Sequence, residues 1–239
     1  MLRRLSLPPL IPGVKVGPWR QDDPHRDLAD LQFAQVRMRT LQRDGFTCCY
    51  CGFRSTPERE AAAHTLRASG YLEVHHQDDD HANNEPGNLV TVCPFCHQVF
   101  HVGFAGHRGA IKTIHLPWMK QEDLNLLVNC LATAATRGGE MGEDAQTLMS
   151  WLQALEGLAA QEFGEEIMGA GNLGTALMGL HHEGLYAERG KALSNLRLLP
   201  VPKMFQQAIE WWSQNTWLPG VRWQSQWQAV YQQWARSSS

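Results

Sequence analysis

The chain has no apolar run approaching the roughly 20 residues that a bilayer-spanning helix takes, so no membrane insertion is expected. It has no excess of either charge: 21 Lys and Arg against 24 Asp and Glu leave a formal net charge of −3. A global basic field for nucleic acid is thereby excluded, and only a local patch can serve such a partner. No internal repeat is visible, which excludes a solenoid or propeller. The opening stretch "MLRRLSLPPLIPGVKVGPWR" has the basic start of a secretory signal, but no small-residue cleavage site follows and prolines interrupt its short apolar run. Residues 1–26 are therefore read as an extended N-terminal arm of the mature protein. Apolar residues at 43% and charged residues at 19% point to a globular chain.

Element signals follow the arm. Leu28, Leu31, Phe33, Ala34, Val36, Met38 and Leu41 fit a helix from about Asp27 to Asp44 that "RDG" closes. Residues 54–69 read as a short helix or surface insertion. "YLEV" and "NLVTV" are rich in β-formers and predict two short strands around a loop dense in turn residues, "HHQDDDHANNEPG". After Pro94 the pattern turns helical. Leu124, Leu127, Val128 and Leu131 mark one face of a helix over 121–135. "RGGEMGED" reads as a flexible break, with a second long helix from about Ala145 to Glu162. "GAGNLG", residues 169–174, matches G-x-G-x-x-G but follows no strand of a βαβ unit, and is read as a helix-breaking linker instead of a dinucleotide site. "NLRLLPVPKMF" is a short extended piece leading into a helix near 203–213. The expected fold class is α+β: a ββα nucleus with additional helices and a helical C-terminal part. Its organisation is the arm, a metal-binding region over 27–116, and a helical region over 117–239 packing on it.

Six cysteines are present, and four stand in two C-x-x-C pairs, Cys48/Cys51 and Cys93/Cys96, with 41 residues between the pairs. Each pair can close a knuckle on one side of a tetrahedral Zn²⁺. A closed four-thiolate site has no position for water, so this zinc is expected to be structural. Metal in place of disulfides fits a reducing, cytoplasmic setting. Cys49 is expected to be a bystander and Cys130 a small core residue. His181 and His182 read as a solvated pair.

His75 and His76 end the first predicted strand, Asn88 opens the second, and His97 and His101 stand one helical turn apart after Cys96. Two strands and a helix bearing His-His, Asn and His resemble the HNH (ββα-metal) endonuclease motif. In that family a strand-end residue and a helix histidine hold a divalent metal, a second strand-end histidine takes a proton from the attacking water, and the asparagine ties the loop. The resemblance implies His75 and His97 as ligands of a second divalent metal such as Mg²⁺, Mn²⁺ or Ni²⁺, with His101 as a third ligand. It implies His76 as general base and Asn88 as loop anchor of an active nuclease, and hence a nucleic-acid substrate. The sequence departs from the pattern in three places. His75 stands where that family often has Asp. Asp78, Asp79 and Asp80 crowd the loop, and the helix after His97 lacks the usual Lys or Arg.

A wider resemblance rests on "GPWR", "QRDGFTCCYCGF", "NNEPGNLVTVCPFC", "IHLPWMKQEDLNLLV" and "NLRLLPVPKMFQQAIEWW". With these pieces the chain resembles the IcmJ/DotN family of type IVB (Dot/Icm-like) secretion and conjugation systems. "LPWMKQEDLN" and "NLRLLP" have no nuclease counterpart and carry the specificity. The resemblance implies an HNH-like zinc fold acting as an adaptor subunit of the coupling complex, cytoplasmic or peripheral at the inner membrane. Its partners would be the type IV coupling ATPase and other secretion-system subunits. The alternative is a metal-dependent HNH endonuclease hydrolysing DNA phosphodiester bonds. Trp223, Trp227, Tyr231 and Trp234 form one helical stripe, read as covering the core or docking a partner.

Overall fold

The computed structural model describes residues 7–15, 26–66, 71–165 and 169–215. The stripe of Trp223, Trp227, Tyr231 and Trp234 lies outside the described residues.

The chain builds its first layer around two knuckles. Helix α1 (Arg26–Arg43) ends where Gly45 and Phe46 take positive φ and reverse the backbone. The Phe46 amide then caps the helix on the Leu41 carbonyl. Thr47 and Arg54 bridge across the first knuckle, whose inner turn is closed by the Gly52 amide on the Cys48 carbonyl at 2.9 Å, with Gly52 at φ 76°. Strands β1 (Glu73–His76) and β2 (Leu89–Val92) pair antiparallel in the register Val74↔Thr91 and His75↔Val90. The second knuckle follows directly, with Cys93 preceding Pro94, which takes the first position of α3 (Pro94–His97).

The Arg43–Asp44 ion pair fixes these pieces together. Arg43 donates to the Pro86 and Leu89 carbonyls, and Asp44 accepts from the Thr91 amide at 3.1 Å. Helix α2 (Pro57–Leu66) is docked into this layer through Glu60. That carboxylate is fully buried, pairs with Arg37 at 3.0 Å and accepts from Ser55 and from the Tyr71 amide.

After α3 the backbone tightens into a 3₁₀ turn (Gln98–His101) and resumes as α4 (Val102–His107). A strand that the periodicity did not reveal follows: β3 (Ile111–His115) pairs antiparallel with β4 (Leu196–Pro200), Thr113 opposite Leu198. The boundary expected near 116 thus falls just after a strand whose partner lies in the helical region. One buried cluster runs through both regions.

Helices α5 (Gln121–Arg137) and α6 (Gly139–Phe163) form the next layer. The break expected over "RGGEMGED" is confined to the turn at Gly138, and α6 begins at Gly139, not near Ala145. Ala145, Met149 and Leu152 are buried, and their one-sided spacing makes the short turn sufficient. Helix α9 (Gln206–Asn215) packs Trp212, fully buried, among Phe53 and Phe95 of the two knuckle segments.

The "GAGNLG" stretch is not a linker. It forms the start of α7 (Ala170–His182). Gly171 and Gly174 on α7 face Gly103 and Gly106 on α4, so closely that a Cβ on Gly106 would lie 2.2 Å from the Gly171 nitrogen. A Cβ on Gly174 would lie 2.4 Å from the Gly103 Cα. Tertiary contact between two backbones overrides the poor helix propensity of glycine here. His181 and His182 close α7 and are exposed. A short 3₁₀ turn (Tyr186–Glu188) and α8 (Arg189–Ala192) then lead to β4.

The crossing predicts substitutions of opposite sign. Gly174→Ala and Gly106→Ala should destabilise by about 1–3 kcal/mol, the range for forced overpacking. Gly179→Ala, on the same α7 but with no atom within 4 Å of the added methyl, should stabilise by about 0.5–1 kcal/mol. Urea denaturation of the three variants reads both signs.

Candidate metal centre

Cys48, Cys51, Cys93 and Cys96 are buried together, and their sulfurs all lie within 4.8 Å of one another. Cys51 and Cys93 Sγ are 3.6 Å apart and all cysteines are free, so no disulfide joins them. The edge of a tetrahedron with Zn–S of about 2.3 Å is about 3.8 Å, close to that spacing. Burial raises the Cys93 and Cys96 thiols, and the Cys48 sulfur raises Cys51. At Cys48 burial is opposed by hydrogen bonds from the other three thiols, which hold it well below the ordinary value. Four cysteine sulfurs gathered in so small a buried volume can hold a metal such as zinc, which would ligate them as thiolates. The other two cysteines stand apart. Burial and the Asp44 carboxylate push Cys49 up to about 12, and burial pushes Cys130 on α5 up to about 12.

A second cluster begins at His97, the residue after Cys96 in α3. His75, on β1, is 5% exposed and stacks on Phe100 at 4.0 Å. His97 and His101 bring their Nε2 atoms to 3.2 Å, and the three histidines offer nitrogens within 4.8 Å of one another. With metal–nitrogen bonds of about 2.0–2.1 Å, a tetrahedral N–N edge is about 3.3 Å, so the 3.2 Å pair matches two ligands on one ion. His97 Nδ1 pairs with the Glu73 carboxylate, which leaves Nε2 for a metal and sets the ring's orientation. Burial works against a charge on His97, but Glu73 outweighs it and raises the His97 pKa. Burial, then the other imidazoles, drives His75 down to about 2. Burial, then His97, drives His101 down to about 3. Both rings are therefore neutral, the state that ligates.

The remaining residues singled out in the sequence lie beside this cluster. His76 is 4% exposed, stacks on Phe33 and places Nε2 3.1 Å from Asn84 Oδ1. Asn88 ties the loop: its Nδ2 donates to Asp78 Oδ1 and to the Asn83 carbonyl, and its Oδ1 accepts from the Asp78 amide. Asp78 and Asp80 spend their oxygens on loop amides and side chains.

Periodicity did not expose the residues that support the clusters. Glu73 sits two positions before His75 on the same strand face, a spacing that period-2 alternation could have marked. Gln121 and Asn125 occupy the buried side of α5 and interrupt its apolar face. Asn125 donates to the Phe95 carbonyl at 3.3 Å and faces Cys96 Sγ at 3.3 Å. Gln121 bridges Asn125 and Leu198, donating to the Leu198 carbonyl and accepting from its amide, both at 2.8 Å.

No protein-family model matches the chain. The type 4 apparatus protein DotN of Legionella pneumophila is 30% identical over 202 residues, which cover 82% of this chain and 86% of that protein.

The neutral histidines carry a pH dependence. Their folded pKa values, about 2 and about 3, lie below the ordinary 6.5, so the unfolded chain takes up protons first as pH falls. Stability held above pH 6.5 should be lost progressively below it, for His75 by at most about 1.4 kcal/mol per pH unit. Denaturation between pH 7 and 5 should show His75→Gln falling less steeply than the native chain. Equal slopes would contradict this.

Proposed function

The chain belongs to the IcmJ/DotN family, and from that premise we propose that it is a zinc-stabilised adaptor subunit of a type IVB secretion or conjugative-transfer apparatus. One observation carries this reading: the likeness to DotN extends over 82% of the chain, far beyond the residues that build the two clusters. A shared metal knuckle alone would leave most of the sequence unmatched.

The chemistry of the site supports an adaptor. A four-thiolate centre is coordinatively closed, so zinc held there by Cys48, Cys51, Cys93 and Cys96 would brace the chain without taking part in a reaction. Thiolates select zinc over Mg²⁺ or Ca²⁺. The order β1, β2, α3 supports reading this nucleus as HNH-like. His76, the base in the HNH reading, is buried between Phe33 and Asn84, away from solvent. Docking on the coupling ATPase falls to the helical region 117–239, where α6 leaves Met141 and Leu158 exposed. A cytoplasmic subunit at the inner membrane fits a chain in which no described helix is long and apolar enough to cross a membrane.

The second reading is a metal-dependent HNH endonuclease, and the three convergent imidazoles favour it. Their chemistry suits Zn²⁺ or Ni²⁺ better than Mg²⁺ or Mn²⁺. Loaded, such a centre supplies a Lewis acid for phosphodiester hydrolysis.

The two readings separate in one pair of measurements. The full-length tagged protein should co-purify with the coupling ATPase encoded in its own system. It should leave supercoiled plasmid intact with Mg²⁺, Mn²⁺, Ni²⁺ and Zn²⁺. Cleavage by the native chain that is lost in His76→Ala, together with no ATPase capture, would put the nuclease first.

A further inference from the structure

Helix α5 carries a polar residue at every fourth position along its buried side. Gln121, Asn125, Asn129 and Thr133 are each 4% exposed or less. An amphipathic helix ordinarily gives such positions to apolar side chains, and a buried polar group is costly unless it is hydrogen-bonded. Thr133 is answered within the helix, where its hydroxyl donates to the Asn129 carbonyl at 2.8 Å. The Asn129 Nδ2 has no hydrogen-bond partner among the described residues. Gln121 and Asn125 are answered by groups outside the helix, at β4 and at the second knuckle.

The direction of this chain of bonds is fixed at its far end. The Leu198 amide can only donate, and it lies 2.8 Å from Gln121 Oε1. Gln121 Nε2 is therefore the donor, to the Leu198 carbonyl at 2.8 Å and to Asn125 Oδ1 at 2.9 Å. With its oxygen so engaged, Asn125 has its Nδ2 for its other two neighbours, the Phe95 carbonyl and Cys96 Sγ, each at 3.3 Å. A backbone group of β4 thus dictates that a donor, and not an acceptor, faces the sulfur. Strand β4 has β3 on one side of a two-stranded sheet, and Gln121 pairs its other edge as a strand would, with one bond in each direction.

We propose that Asn125 is a positioning residue for a metal at the four cysteines: its Nδ2 holds the Cys96 sulfur as an anionic ligand, and Gln121 makes that donation depend on the seating of β4. The inference rests on the zinc-holding reading above. An N–H aimed at a sulfur stabilises the charge that a metal-bound thiolate carries and draws electron density away from the metal–sulfur bond. The same amide fixes the approach of the helix to the knuckle, because its second N–H holds the Phe95 carbonyl next to the ligand.

The full chain, produced with Co²⁺ in place of zinc, tests this. Thiolate-to-cobalt charge-transfer bands in the near ultraviolet report the sulfurs and not the imidazoles. Asn125→Leu, which fills a similar volume without a donor, should move these bands to lower energy. In competition with a chromophoric chelator it should hold zinc about ten-fold or more weakly than the native chain, the cost of losing an outer partner of a ligand. Gln121→Met keeps Asn125 but removes the donor that orients it, and should move the bands in the same direction by less. This second variant also reads the inference if Asn125→Leu does not fold. Asn129→Leu, one turn further along the same buried side, should leave the bands and the zinc affinity as in the native chain. A merely structural role would lower the melting temperature of Asn125→Leu and leave its band energies unchanged. Bands that do not move to lower energy in either folded variant, or that move as far in Asn129→Leu, would overturn the inference while leaving the metal reading standing. A native chain with no thiolate charge transfer to cobalt would overturn both.

Discussion

Four sulfurs from two segments, separated by 41 residues of sequence, must meet in one buried volume, and the surrounding structure is organised by that constraint. The first knuckle can present Cys48 and Cys51 only if α1 stops at Arg43, and the Arg43–Asp44 pair both marks that stop and holds β2 against it. The second can present Cys93 and Cys96 only if β2 ends at Val92 and α3 starts at Pro94. The hairpin between them is therefore a spacer of fixed register. Its far side carries His75, and the helix that positions Cys96 also positions His97, so the two clusters share one scaffold.

The same constraint reaches the helical region through a polar thread on α5. Asn125 faces Cys96, Gln121 faces Asn125, and Leu198 closes two hydrogen bonds on Gln121. Gln121 and Asn125 lie in "LPWMKQEDLN" and Leu198 in "NLRLLP", two of the pieces of sequence on which the resemblance to the IcmJ/DotN family rests. They are distant in sequence yet meet behind the thiolate centre. An amide donating to a metal-bound thiolate lowers its charge density and orients it. A leucine at 121 or 125 would satisfy the helix face but leave β4's edge or the sulfur without a partner. This gives a physical reason why polar residues stand inside an apolar core.

Much of this was legible in the sequence, and the misses have physical causes. The α+β class, the β1–β2 hairpin and the long helix on Leu124, Leu127, Val128 and Leu131 were readable because each depends on local periodicity or turn chemistry. The cysteine spacing carried the metal cluster in the same way. Strand β3 escaped because "IKTIH" is short and gains its partner from residues 196–200, which no local window contains. The glycines of α7 misled for a related reason. Alone they weaken a helix, and only the glycines of α4 against them turn the missing side chains into contact. The order of the described N-terminal arm was hidden because it comes from Val99, Val102, Tyr186 and Arg189, all remote in sequence.

Metal bound at the four cysteines would hold both regions in their folded arrangement, and metal content measured beside folding tests this most directly. Freshly purified His97→Ala protein, which isolates the thiolate centre, should carry one zinc per chain by elemental analysis. Stripping it with a strong chelator should abolish near-UV dichroism in a single cooperative step, because binding and folding are coupled at such centres. A folded protein without zinc, or one whose dichroism survives complete removal of the metal, would contradict the account.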